Sequence, residues 1–196
     1  MNVRALQQQV EALALVAGRQ QGQGAVDGGA RIAVRSEGVS TSYAALQALT
    51  SGVAEGLREL DVRPGERIVL LSSDRLELLA GILAAIRLGA VAVPISTMLT
   101  AADTAKILAD CGARVLVVSP EFAASAAAAA PAAADLAHVI TVGGAELAVP
   151  PGVRQHSWEQ VLAAGQCHAG DLPWTAATKP DSPALWLYTS GTTGKP

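Results

Sequence analysis

The chain has 196 residues, with 14 Lys+Arg against 17 Asp+Glu and a formal net charge of −3. It is 51% hydrophobic, 16% charged and 3% aromatic, where an average soluble domain is about 25% charged. This balance excludes intrinsic disorder, which goes with few apolar residues and high charge. It also excludes a basic nucleic-acid binder, which needs clustered Lys and Arg to neutralise phosphates.

Helical and strand patterns alternate along the chain. Val3, Leu6, Val10 and Leu13 recur at helical spacing and predict an amphipathic helix over 3–17, followed by a Gly/Gln-rich linker to Gly29. Ile32-Ala33-Val34 and Val39-Ser40-Thr41 flank Ser36-Glu37-Gly38 and read as a short hairpin. Ser42 is placed to cap a helix whose apolar face carries Leu46, Leu49, Val53, Leu57 and Leu60. Arg63-Pro64-Gly65-Glu66 is a turn.

Ile68-Val69-Leu70-Leu71 is a continuous apolar run, the pattern of a strand covered on both faces. Leu76, Leu79, Leu83 and Ile86 form a helical stripe ended by Gly89, and Val91-Ala92-Val93 is the next strand. The apolar stretch Leu78 to Ile95 is interrupted by Gly81, Arg87 and Gly89, so it reads as buried helix and strand and not as a membrane span. Thr100 and Asp103 resemble a capping box that opens a helix through Ile107 and Leu108. Val115 to Val118 is another strand.

Ala123 to Ala137 is nearly all alanine and predicts a plain surface helix. Val139 to Val142 reads as a strand, and Ser157 as the cap of a brief helix through Trp158, Val161 and Leu162. Gly165 to Pro183 reads as a polar connection, and Ala184 to Tyr188 as a final apolar strand. The alternation predicts an α/β fold with a mostly parallel sheet, right-handed crossovers and helices on both faces. Cys111 and Cys167 lie far apart, and His138, His156 and His168 are scattered. Neither set has disulfide or metal-ligand spacing, so these read as ordinary packing or surface residues of a reduced, cytoplasmic protein, with no metal ligands expected.

The chemistry concentrates at the end of the chain, in Thr189, Ser190, Gly191, Thr192, Thr193, Gly194 and Lys195. Glycines allow backbone amides to approach a ligand closely, and hydroxyls donate to phosphate oxygens. Successive amides in a turn can cradle an anion. A plain Ser/Thr/Gly turn has the same composition. The Walker-type loop G-x-x-x-x-G-K-[ST] does not fit. Thr189 stands where its first glycine belongs, and Pro196 follows Lys195. Gly22-x-Gly24 lacks the strand and third glycine of a dinucleotide fingerprint.

Tyr188 to Pro196 resembles the phosphate-binding signature of the acyl-adenylate-forming, or AMP-binding, superfamily. Two earlier segments resemble that superfamily's upstream motifs, in order. They are Thr41-Ser42-Tyr43-Ala44-Ala45-Leu46 and Leu88-Gly89-Ala90-Val91-Ala92-Val93-Pro94-Ile95. These two read as structural: Tyr43 as a packed aromatic at a helix start, Gly89 as a helix C-cap, Pro94 as a strand exit. Ala184-Leu185-Trp186-Leu187-Tyr188 and the stretch Ser96 to Asp103 are similar to benzoate–CoA ligase and its aryl relatives.

The resemblance implies that residues 31–196 are the first part of an AMP-binding N-terminal domain, ending within its phosphate-binding loop, with residues 1–30 a helix and linker. It implies formation of an acyl-adenylate from an aromatic carboxylic acid and ATP, with Mg²⁺, followed by transfer to CoA. Thr189, Ser190, Thr192 and Thr193 would donate hydrogen bonds to the nucleotide. Gly191 and Gly194 would permit close approach, and Lys195 would aid with its charge. An adenylation domain loading a carrier protein and a fatty-acyl ligase are the near alternatives. A non-catalytic α/β module is the alternative from another class. No catalytic residue is expected within these 196 residues, and the chain alone is expected to be inactive. No nucleic-acid or membrane partner is expected, and a homodimer is compatible with the aryl ligases.

Overall fold

The computed structural model describes residues 29–166 and 176–189. The helix predicted over 3–17 and its linker, as well as Cys167 and His168, lie outside the described residues.

The chain opens with an antiparallel hairpin of β1 (Ile32–Ser36) and β2 (Val39–Ser42). Glu37 and Gly38 form its two-residue turn, with φ of 51° and 78°. Positive φ at both positions is the twist that matches paired strands. Ser42 then caps α1 (Tyr43–Glu59), its Oγ accepting from the Ala45 N–H at 3.2 Å. In the turn that follows, the Glu66 carboxylate accepts from the Arg63 N–H and Gly65 takes a φ of 82°.

Five parallel strands form the central sheet in the order β4-β3-β5-β6-β7. They are β3 (Arg67–Leu71), β4 (Val91–Pro94), β5 (Ala113–Val118), β6 (His138–Thr141) and β7 (Arg154–Ser157). Between β3 and β4 lies α2 (Leu76–Leu88), ended by Gly89 in the left-handed conformation at φ 73°. Between β4 and β5 lies α3 (Ala101–Asp110), where Thr100 Oγ1 accepts from the Asp103 N–H at 3.2 Å. α4 (Ala123–Ala129) precedes β6, and α5 (Trp158–Gln166) follows β7. The predicted α/β architecture is present, with helices on both faces of a parallel sheet.

Successive residues of β3 feed opposite cores, as a period of two requires. Ile68 and Leu70 pack with Val53 and Leu57 of α1, Ala84 of α2 and Trp158 of α5. Val69 and Leu71 pack on the other face with Ile107 and Leu108 of α3 and Ala126 and Ala129 of α4. Burial on both faces explains why β3 and β5 read as unbroken apolar runs.

Several predicted elements differ from the structure, and β7 has no predicted counterpart. The alanine-rich segment is not a single surface helix. α4 is seven residues long and passes into a 3-10 turn at Ala130–Ala132, because Pro131 lacks the N–H a continuing helix needs. Ala126, Ala129 and Ala130 are wholly buried, so their small side chains set a close helix–sheet approach. β6 begins at His138, one residue earlier than expected, and Val142 leaves the strand. β7, Arg-Gln-His-Ser, lacks an apolar signature, and among the described residues it is an edge strand with a neighbour on one side only. Gly165 belongs to α5 and not to a polar connection.

α1 and α5 touch backbone to backbone. A methyl group at Gly56 would lie 2.0 Å from the Val161 carbonyl oxygen, and one at Gly165 would lie 1.9 Å from that of Gly52. Glycine is required at both positions by this approach and not by a special dihedral.

Candidate functional site

Thr189 is exposed, directly after Tyr188. Ser190, Gly191, Thr192, Thr193, Gly194 and Lys195 lie outside the described residues. What the structure describes is the segment that leads into them.

That segment runs along the β4 edge of the sheet. Ala92 of β4 donates its N–H to the Ala184 carbonyl at 3.1 Å, and the Trp186 N–H donates to the Ala92 carbonyl at 2.9 Å. This makes one parallel bridge, Ala92 to Leu185, and not the covered strand expected over Ala184 to Tyr188. Leu185, Trp186 and Leu187 are 47%, 41% and 59% exposed, because no described element packs over them. Trp186 and Tyr188 stack, with ring centroids 5.9 Å apart and planes inclined by 10°. Tyr188 packs against the α3/α4 core, and its hydroxyl donates to Asp110 Oδ2 at 2.5 Å. Burial, then this bond to a carboxylate, pushes the phenol pKa well above its usual value, so Tyr188 stays a neutral donor.

The upstream motif residues take structural roles, with one correction. Ser42 is a helix cap, Gly89 is a left-handed helix terminus, and Pro94 is the last residue of β4. A side chain at Gly89 would also meet Ala176 Cβ at 2.9 Å, where the returning chain crosses. Tyr43, expected to be a packed aromatic, is 57% exposed. It begins α1 but points away from the face carrying Ala45, Leu49 and Val53.

Three polar groupings escaped the sequence reading. First, the loops after β3 and β5 meet where the strand order reverses, the usual ligand crevice of an open α/β sheet. There the Ser73 hydroxyl donates to Glu121, and the Arg75 guanidinium lies 3.6 Å from Glu37 and 3.8 Å from Glu121. Second, Glu77 in the first turn of α2 is buried, and no other described residue hydrogen-bonds to either carboxylate oxygen. Third, His138 and His156 come together on β6 and β7, with Nδ1 and Nε2 3.1 Å apart. A shallow hollow beside them is lined by Thr141, Glu146, Gln155, His156 and Gln160. It lies at the β7 edge, opposite the β4 edge that carries Thr189. No sequence signal could have paired the two histidines without knowledge of β7.

Among the described residues, no group of three or more His, Cys, Asp or Glu could hold a metal ion. No described helix is long and apolar enough to cross a membrane.

The profile of the AMP-binding enzyme family matches residues 21–196. The 3-hydroxybenzoate–CoA ligase of Aromatoleum sp. (strain CIB) is 34% identical over 179 residues, which is 89% of this chain and 30% of that protein. The benzoate–CoA ligase of Thauera aromatica is 33% identical over 137 residues, 70% of this chain and 24% of that protein. The crystal structure of an anthranilate CoA ligase in complex with anthranoyl-AMP superposes with a TM-score of 0.74 at 24% identity, covering 93% of this chain and 33% of that one, and shows the fold alone. The chain thus spans about a third or less of the length of the proteins it matches. From a profile match over most of its length, and from aryl–CoA ligases among its relatives, the chain belongs to the AMP-binding enzyme family.

Proposed function

We propose that this chain is the N-terminal part of an ATP-dependent ligase that joins an aromatic, benzoate-type carboxylic acid to CoA. The observation that carries this reading is 34% identity to a hydroxybenzoate–CoA ligase over 89% of the chain. The alkyl-acid and carrier-protein alternatives are not better supported: a long-chain fatty-acid–CoA ligase is 33% identical over 82% of the chain, and a fatty-acid–carrier-protein ligase 29% identical over 84%.

In the first step a carboxylate oxygen of the acid attacks the α-phosphorus of ATP. The bond from that phosphorus to the bridging oxygen breaks, giving acyl-adenylate and pyrophosphate. In the second step the CoA sulfur attacks the acyl carbon and AMP leaves, giving the thioester. Negative charge accumulates on the departing pyrophosphate, so fixed donors aimed at those oxygens lower the barrier. Thr189, Ser190, Thr192 and Thr193 fill this role with hydroxyl and amide hydrogens. Gly191 and Gly194 let the backbone approach, and Lys195 adds a positive charge. A Mg²⁺ ion carried on the phosphates supplies further charge neutralisation.

Residues 31–196 are read as the first part of the AMP-binding domain, with 1–30 as its N-terminal extension. ATP and CoA as substrates fit a cytoplasmic setting. The test is thioester formation by the full-length enzyme, read as the mass of the CoA adduct over hydroxybenzoates, aminobenzoates and alkyl acids. Products from the aromatic acids support the reading. Products from long alkyl acids alone overturn the substrate class.

A further inference from the structure

We infer that Asp110 is a positioning residue for the nucleotide-binding segment, acting through Tyr188; this rests on the reading of Thr189 to Lys195 given above.

Asp110 is the last residue of α3. Carboxylates are disfavoured at helix C-termini, where the unpaired carbonyls already carry partial negative charge. An acid placed there calls for a compensating donor, and the Tyr188 hydroxyl is one, at 2.5 Å across 78 positions of sequence. The anchor beneath Asp110 is itself held firmly. Arg67 at the start of β3 donates through Nε to the Cys111 carbonyl, and through Nη2 to the Gly112 carbonyl at 2.8 Å. Cys111 also closes the helix, its N–H bonding to the Ile107 carbonyl at 3.0 Å. The end of α3 is therefore pinned to the sheet, and Asp110 projects from a fixed point.

Tyr188 is held from three sides. Its hydroxyl is bonded to Asp110, its ring is stacked on Trp186, and the backbone two and four residues earlier is paired with Ala92. The next residue is Thr189, the first hydroxyl of the proposed phosphate-binding segment. Fixing Tyr188 fixes the backbone from which Thr189 continues. Misplacing such donors weakens their hold on the polyphosphate and on the charge that develops there in the reaction. The bond also uses Tyr188 as a neutral donor, a state that burial and the neighbouring carboxylate both favour.

The test is ATP–pyrophosphate exchange by the full-length enzyme at saturating acid, with Tyr188→Phe, Asp110→Ala, Asp110→Asn and the Tyr188→Phe/Asp110→Ala double variant. Melting temperatures check that each variant folds. The inference predicts that Tyr188→Phe and Asp110→Ala each lower kcat/KM for ATP by about fivefold or more, with the KM for acid unchanged. The double variant should be no worse than either single one, because both remove the same bond. Asp110→Asn keeps an acceptor oxygen and should recover most of the loss. An unchanged kcat/KM for ATP in folded Tyr188→Phe, or additive losses in the double variant, overturns the inference alone. Absence of exchange in the unmodified enzyme with every acid overturns the functional reading and this inference with it.

Discussion

His138 and His156 meet across β6 and β7, with Nδ1 of the first 3.1 Å from Nε2 of the second and ring centroids 5.3 Å apart. One ring must donate and the other accept, so the pair cannot hold this bond with both rings charged. His138 is fully buried, and Arg154 stands opposite it in the strand register. Burial, then Arg154, His156 and Arg114, lowers the His138 pKa from 6.5 to about 4. Burial and Arg154 lower that of His156 as well.

The sign of the resulting pH dependence is fixed. Between pH 6.5 and about 4 the unfolded chain takes up protons that the folded His138 refuses, so stability is full above 6.5 and falls as pH drops through this window. For His138 the loss amounts to about 3 kcal/mol at most. Urea denaturation from pH 8 to 4 should show this acid limb, and replacing both histidines by Gln should flatten it. An acid limb unchanged in the double variant would show that other groups cause it.

Glu77 titrates with the opposite sign. Burial is the largest influence and raises its pKa above the usual 4.5. Its contribution to stability is therefore complete below 4.5 and is lost as pH rises through the folded value. Near neutral pH the folded state holds either a charge without a described hydrogen-bond partner or a proton it must acquire. Glu77→Gln removes that cost and should stabilise the protein by about 1 kcal/mol at pH 8, with little gain at pH 4. Denaturation midpoints at the two pH values check this; a loss of stability at pH 8 would mean that the carboxylate is bonded in the native protein.

The α1–α5 contact gives a prediction independent of charge. Gly56→Ala drives a methyl group into the Val161 carbonyl, and backbone cannot move aside as a flexible side chain can. The cost should be about 2–4 kcal/mol, as for an overpacked core, and Gly165→Ala should behave alike. Ser51→Ala on the same helix, where the hydroxyl bonds the Gln47 carbonyl of its own helix, should change stability by less than about 0.5 kcal/mol. Equilibrium denaturation of the three variants decides; losses below about 1 kcal/mol at both glycines would contradict such close packing.

Elements whose cause is local were legible in the sequence. β3 announced itself by burial on both faces, α2 by its helical spacing and Gly89, and α3 by the Thr100 cap. The buried face of α2 carries Leu76, Ala80, Ala84 and Leu88, whereas the expected stripe departs from it after Leu76 and ends at the exposed Ile86. Elements whose cause is tertiary were not. β7 is a polar strand at an edge of the described sheet, the alanines after Ala123 are buried because they are small, and Gly56 and Gly165 are needed because another backbone lies against them. The candidate site divides in the same way. The hydroxyl and glycine pattern of Thr189 to Lys195 can be read residue by residue, whereas the bond from Asp110 to Tyr188 depends on where a helix 78 positions earlier happens to end.

Under the proposed function, the segment from Thr189 to Lys195 binds the polyphosphate of ATP. Acid-dependent ATP–pyrophosphate exchange by the full-length enzyme, compared with a variant in which Thr192 and Thr193 are both replaced by alanine, tests it most directly. Exchange with a benzoate-type acid is expected in the unmodified enzyme. In the variant the rate should fall by about 100-fold or more while the melting temperature holds, the scale expected on removing preorganised donors. Exchange that is unimpaired in the variant would contradict it.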